Sequence, residues 1–172
     1  MPHSLIFEDY TDHELIHMFT AYVDKKYKGQ MKFEDGPVGL FVRITIRRLG
    51  RGRGQAGFGN ARAMQNLFMR IADRQSVRVR QSRNAAISVD NMLINRDDLI
   101  GPDPSLAIQK STSWTKLKDM IGLASVKQSV QDLVDLIGTN FKRELEEKEP
   151  LQVTLNRVFY GNPGSYSMPH SG

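Results

Sequence analysis

The sequence predicts a mainly α-helical chain: a bundle of four helices over residues 1–101, a linker over 102–113, and over 114–172 further helices with one strand of a truncated α/β unit. Three observations carry this expectation. Apolar residues recur at three- and four-residue spacing along several stretches. Five glycines between Gly50 and Gly59 break the pattern between two of them. Near the C-terminus, Leu151 to Tyr160 is rich in Val, Leu, Phe and Tyr with no breaker, as a strand is.

Taken in order, Thr11 followed three residues later by Glu14 forms a capping box. Leu15, Ile16, Phe19 and Val23 then give a helix from Asp12 to Tyr27, stopped by Lys25, Lys26, Lys28 and Gly29. After a polar link to Pro37 and Gly39, Leu40, Val42, Ile44 and Ile46 alternate with Arg43, Thr45 and Arg47. On period alone that stretch, to Leu49, favours a strand, and a helix there needs outside support. Asn60 stands where an N-cap belongs, and Ala61, Met64, Leu67, Phe68, Ile71 and Gln75 share one face of a helix predicted from Ala61 to Gln81. A polar turn from Ser82 to Asp90 leads to Asn95-Arg96-Asp97-Asp98-Leu99-Ile100, a short capped helix ended by Gly101 and Pro102.

Two prolines and several small polar residues mark 102–113 as the linker. Trp114 to Met120 reads as a short helix broken at Ile121-Gly122-Leu123. Val126, Val130, Leu133, Val134, Ile137, Phe141 and Leu145 then form one apolar stripe, and the charged run Lys142 to Glu149 closes that helix before Pro150.

The chain of 172 residues is 40% hydrophobic and 25% charged, which fits a globular protein rather than a disordered one. No stretch reaches the roughly 18 to 20 apolar residues of a membrane span, and Met1-Pro2-His3-Ser4 does not open a secretion signal, so an intracellular location, cytoplasmic or nuclear, is expected. With no cysteine, disulfides, thiolate catalysis and cysteine-based zinc sites are excluded. His13 and His17 have an i, i+4 spacing that can hold a metal, but no third ligand lies nearby in sequence, and no metal site is assigned.

The net charge of +5 is unevenly spread: eleven arginines and a single acid, Asp73, fall between Arg43 and Arg83, a local charge of about +10. Such a block favours a polyanion, either nucleotide phosphates or a nucleic-acid backbone.

The strand Leu151 to Tyr160 runs into Gly161-Asn162-Pro163-Gly164, which resembles the opening of a phosphate-binding loop. That loop requires a second glycine, a lysine and a hydroxyl residue, but the corresponding positions hold Tyr166, Ser167 and Met168. A catalytic site is therefore not expected at this loop.

Five segments in order, Phe7-Glu8-Asp9-Tyr10-Thr11-Asp12 with Glu14-Leu15, Gly57-Phe58-Gly59-Asn60-Ala61-Arg62, Asp98-Leu99-Ile100-Gly101, Ile121-Gly122-Leu123 with Val126-Lys127, and Asn156-Arg157-Val158-Phe159 with Gly161-Asn162-Pro163-Gly164, resemble AAA+ ATPases of the CbxX/CfxQ type. These include fungal members that string several modules along one chain. The resemblance implies that residues 1–101 are the four-helix lid of one module and 114–172 the start of the next core, truncated at its P-loop. It makes Leu5 to Phe7 the end of a strand whose sheet is absent here, and Leu40 to Leu49 a helix.

It further assigns Arg62 as the second sensor, facing the γ-phosphate of ATP, with Asn60 beside it, and Ile121 and Gly122 as an adenine-contacting turn. Gly161, Asn162, Pro163 and Gly164 become a P-loop remnant. ATP and magnesium are the implied cofactors of the parent protein, neither held completely by this chain. The implied partners are a neighbouring core or subunit of a ring, approached through Arg43, Arg47, Arg48, Arg51 and Arg53, and a protein client. The parent would hydrolyse ATP, and this chain alone would not. Two other functions stay open on the residues: a basic helical module binding nucleic acid, and a non-catalytic interaction fragment.

Overall fold

Thr11 caps the first helix, α1 (Asp12–Tyr27): its hydroxyl accepts from the Glu14 N–H, and the Glu14 carboxylate accepts in turn from the Thr11 N–H at 2.8 Å. The box satisfies two amides of the first turn that have no intrahelical partner. Lys28, in the left-handed region at φ 53°, ends the helix. The computed structural model describes residues 9–55 and 58–152. Leu5 to Phe7 and the expected strand, from Val153 onward, lie outside the described residues.

The chain divides into two units. The first comprises Met1–Pro102 together with Glu144–Lys148. Besides α1 it contains β1 (Lys32–Phe33), α2 (Leu40–Gly50), α3 (Asn60–Asn84), β2 (Leu93–Ile94) and α4 (Arg96–Ile100). α1 packs on α2 and α3, and α4 packs on both of those helices. Leu15, Phe19 and Val23 of α1 meet Val42 and Ile46 of α2 and Phe68 and Ile71 of α3 in a core from which water is excluded. Tyr22 stands edge-on to Phe68, ring centroids 5.1 Å apart.

The stretch with strand-like alternation is α2, a helix. Val42, Ile44, Thr45, Ile46 and Gly50 are all buried, so apolar residues occupy more than one side of a central helix and simulate a period of two. Its remaining stripe carries Arg43, Arg47, Arg48 and Arg51.

α3 starts at Asn60, with Gly59 as N-cap, and runs on to Asn84. This corrects the expected Asn60 cap: the Asn60 side chain is engaged elsewhere, and α3 has no side-chain cap. Ala61, assigned to the buried face, is exposed.

The two short strands were not legible in the sequence. They pair in parallel, Lys32 with Leu93 and Phe33 with Ile94, across a connection containing α2 and α3. Gln75, buried on α3, donates to the carbonyls of Asn91 at 2.9 Å and Leu93 at 3.2 Å. Arg78, one turn on, donates to the Leu93 carbonyl and grips the Asp98 carboxylate with a fork, Nε to Oδ1 at 3.0 Å and Nη2 to Oδ2 at 2.8 Å. Asp98 is only 1% exposed and also closes a capping box with Asn95 at the start of α4. Its carboxylate raises the pKa of the Arg78 guanidinium, mainly through their hydrogen bond, while partial burial acts in the opposite sense.

Residues 144–148 complete the first unit with two glutamates set against the arginine stripe of α2. Glu144 accepts from Arg48 at 2.6 Å and pairs with Arg51 at 2.8 Å; Glu147 takes a two-pronged contact from Arg43, both arms 2.9 Å, and a longer one from Arg47. Burial pushes the Glu144 carboxyl up, but Arg48 and Arg51 together outweigh it and hold it below the usual value. Arg43 does the same, chiefly by hydrogen bonding, for Glu147.

The second unit comprises Asp103–Arg143 and Glu149–Gly172, with α5 (Pro104–Gln109), α6 (Thr112–Asp119) and α7 (Ala124–Leu145), whose last two residues belong to the first unit. The stretch expected to be a linker is thus largely helical. Asp103 caps α5 by accepting from the Ser105 N–H at 2.8 Å, and Pro104 occupies its first turn, so one proline taken for linker composition is a helix start. Gly138 of α7 lies against Ser105: a Cβ there would come within 3.0 Å of its hydroxyl. Among the described residues, Trp114, Val134 and Phe141 are buried hydrophobic side chains of this unit.

Removing the Asp98 carboxylate strands a partly buried guanidinium. Asp98→Ala should therefore lower the unfolding free energy by about 3 kcal/mol, and Asp98→Asn by less, in urea titrations. The depressed values of Glu144 and Glu147 carry a sign of their own. Their stabilisation is complete above the ordinary carboxyl value of 4.5 and is lost as pH falls through the lower folded values. Protection factors for amide exchange at residues 142–148, which remove the intrinsic pH dependence of exchange, should fall in acid below that point and stay constant above it.

Candidate nucleotide-sensing site

The glycine-rich loop after α2 folds back on the residues that lead into α1. Arg53 donates through Nε to the Tyr10 carbonyl at 2.6 Å and pairs with Asp12. The Gly54 N–H, in a left-handed turn at φ 74°, donates to Asp9 Oδ2 at 2.9 Å. Asp9 Oδ1 accepts from Asn60 Nδ2 at 3.0 Å, and Asn60 Oδ1 accepts from the Tyr10 N–H at 3.3 Å. Both ends of the Asn60 amide are thereby used to hold the first turn of α3 beside residues 9 and 10.

Arg62, in that same turn, is exposed. Among the described residues no hydrogen bond or ion pair holds its guanidinium. The turn has no side-chain cap and no acidic residue, so among the described residues nothing covers its first N–H groups and the positive end of the helix dipole, which lie beside this guanidinium. The donor set of guanidinium and amides fits an anion such as phosphate.

A cleft of about 440 Å³ lies along α2 and α3, lined by residues that include Phe58, Asn66, Arg48, Arg70 and Arg74. It does not coincide with Arg62, and two of its arginines are committed to α4: Arg48 donates to the Ile100 carbonyl, and Arg74 to those of Asp98 and Leu99.

A family model, the AAA lid domain, matches residues 11–110. The chain belongs to the AAA lid domain family. Such lids are parts of AAA+ ATPases. The matched stretch takes in α1 to α4 and extends through α5, past the end of the bundle expected at residue 101. No curated protein and no solved structure matches the chain.

Of the remaining residues singled out, Ile121 and Gly122 belong to the second unit, between α6 and α7. Ile121 is fully exposed, Gly122 has φ 77°, and the Lys127 ammonium ties down the turn by donating to the carbonyls of Lys118 and Met120. Gly57 and the Gly161-Asn162-Pro163-Gly164 remnant lie outside the described residues. Among those described, no group of three His, Cys, Asp or Glu can hold a metal ion, and no helix is long and apolar enough to cross a membrane.

The lid's polar junction was the feature missed in the sequence. Asp9, Arg53 and Asn60 are separated by 44 and 7 residues, and no local spacing joins them. Replacing Asn60 with Ala removes two hydrogen bonds and leaves part of Asp9 unsatisfied. A loss of about 1 to 2 kcal/mol is expected in thermal or urea unfolding, with faster exchange of the Tyr10 amide.

Proposed function

We propose that this chain supplies the nucleotide-sensing lid of an AAA+ ATPase of the CbxX/CfxQ type, in which Arg62 reads the γ-phosphate of ATP held by an AAA+ core. The observation that carries the reading is the Asn60 bridge to Asp9 and Tyr10. It fixes the first turn of α3, with its exposed arginine, beside the segment by which the chain leads into the lid. Asn60 is then a positioning residue, and Arg62 is the group that touches phosphate. A charged hydrogen bond from guanidinium to phosphate would distinguish ATP from ADP, so the lid would respond to the state of the nucleotide.

The parent protein would bind ATP with magnesium, hydrolyse it and remodel a protein client as a ring. In the second unit, Ile121 and Gly122 would form the adenine-contacting turn of a following core. The exposed isoleucine offers apolar surface suited to a base, and the positive-φ glycine lets the backbone approach it. The Gly161 to Gly164 segment would be the remnant of that core's P-loop. With Tyr166, Ser167 and Met168 at the positions of the second glycine, lysine and hydroxyl, this chain would not turn over ATP by itself.

A nucleic-acid role for the basic block is less well supported, because six of its arginines, 43, 47, 48, 51, 53 and 78, form ion pairs with the chain's own carboxylates. Titrating the chain with labelled ATP and with duplex DNA at two salt concentrations separates the two readings. Tight, salt-sensitive DNA binding without any response to nucleotide would replace the lid function with the other.

In the assembled ATPase carrying this lid, Arg62→Ala should weaken ATP binding or slow turnover by about tenfold or more, the scale of one lost charged hydrogen bond. The melting temperature of the lid should not change, since Arg62 is exposed. Unaltered turnover and affinity would refute the sensor assignment.

A further inference from the structure

The cleft of about 440 Å³ along α2 and α3 has a lining of two kinds. Leu49, Leu67, Leu99 and the half-buried ring of Phe58 give it apolar surface. Gly52 lets that ring lie where it does, since a Cβ there would come within 2.9 Å of it. Asn66, Arg70 and Arg74, successive at four-residue spacing along α3, give it hydrogen-bond donors and positive charge. Among the described residues, no carboxylate lines the cleft.

These donors are uncommitted to different degrees. Arg48, which also lines the cleft, is already occupied by Glu144 and the Ile100 carbonyl. Arg74 uses Nη1 for the Asp98 and Leu99 carbonyls, at 3.3 and 3.2 Å, which leaves its Nε–Nη2 edge without a partner among the described residues. The two backbone contacts orient that guanidinium, so less side-chain freedom remains to be lost on binding. Arg70 and Asn66 are exposed, and neither has a hydrogen bond or ion pair among the described residues. Asp73, between Arg70 and Arg74 in sequence, is exposed, forms no ion pair among the described residues and does not line the cleft. Asp98, whose carbonyl Arg74 reaches, has its carboxylate gripped by Arg78.

We propose that this cleft binds a phosphate monoester carried on an aromatic group, with the phosphoryl oxygens on Arg70, the free edge of Arg74 and the Asn66 amide, and the ring against Phe58. A carboxylate offers two acceptor oxygens and a single charge. A phosphate monoester offers three oxygens and a charge of about −1.5 to −2 at neutral pH, which matches two guanidiniums and an amide. Inorganic phosphate would leave the apolar lining unused, whereas an aromatic carrier buries its ring against the leucines and stacks with Phe58. The volume lies within the range of small-molecule sites, which starts at about 300 Å³. Arg62 does not line the cleft, so this inference stands apart from the sensor assignment.

The test titrates the full chain with phenyl phosphate by isothermal calorimetry at low salt. Inorganic phosphate and benzoate should each bind about tenfold more weakly or worse, the first lacking the ring and the second the dianion. Arg70→Gln should weaken phenyl phosphate binding by about tenfold, and Asn66→Ala by less. Arg74→Gln should weaken it as well. That guanidinium also holds α4, so a melting curve accompanies the variant, and the exposed, unpaired Arg70 decides the matter if the fold is disturbed. Arg62→Ala should leave the affinity unchanged. A tyrosine-phosphorylated peptide separates the sources of the ester: binding as tight as phenyl phosphate or tighter places it on a protein side chain, and weaker binding places it on a free small molecule. The proposal is overturned if phenyl phosphate does not bind at millimolar concentration, if its affinity ignores Arg70→Gln, or if Arg62→Ala abolishes binding.

Discussion

The first unit is organised around a carboxylate that has no access to water. Asp98 sits at the third position of a five-residue helix too short to persist alone, and its two buried oxygens each need a hydrogen-bond donor there. Arg78 supplies a fork from α3, and the Asn95 N–H supplies a third bond. Because Arg78 also reaches the Leu93 carbonyl, the same guanidinium fixes α4 and the strand that precedes it. Gln75 and Arg74, on the same helix, bind neighbouring carbonyls of that region, so α3 orders β2 and α4 through polar contacts as well as through its apolar face.

That arrangement changes what the arginine-rich composition means. A local charge of about +10 suggests a surface for polyanions, but the guanidiniums have separate duties. Arg74 and Arg78 are structural, set against α4 and β2. Arg53 fastens the glycine-rich loop to the start of α1, and Arg43, Arg47, Arg48 and Arg51 share two glutamates. Arg62 differs from all of these in standing exposed at an uncapped helix start. A charge count over a window cannot separate these roles, because the compensating acids lie far away in sequence.

Elements whose signals are local were legible. The Thr11–Glu14 box, the apolar face of α3 and the Asn95 cap of α4 depend on residues within one or two turns, and the structure follows them closely. α2 was legible only through family resemblance, because burial on several sides removed its periodic signature. The α5 segment was misread because proline signals both helix starts and linkers, and the Asp103 cap distinguishes them only once the backbone is seen. Asn60 has the right residue type for a cap, yet Asp9 and Tyr10 compete for the same amide. The β1 and β2 pair, two residues each and some sixty residues apart, offered no pattern at all.

The sequence by itself determined that the chain is mainly helical, where its best-capped helices start, and, through motif order, that it carries an AAA+ lid. Those properties rest on interactions between near neighbours, whose geometry a helix imposes automatically. Tertiary structure alone decided which arginines are spent on the fold, and that Asn60 anchors the first turn of α3 to residues 9 and 10 instead of capping it. It also decided that residues 144–148 belong with the lid. Each of those outcomes depends on pairing charged and polar groups across tens of residues, and such pairing exists only after the apolar core has brought the helices together.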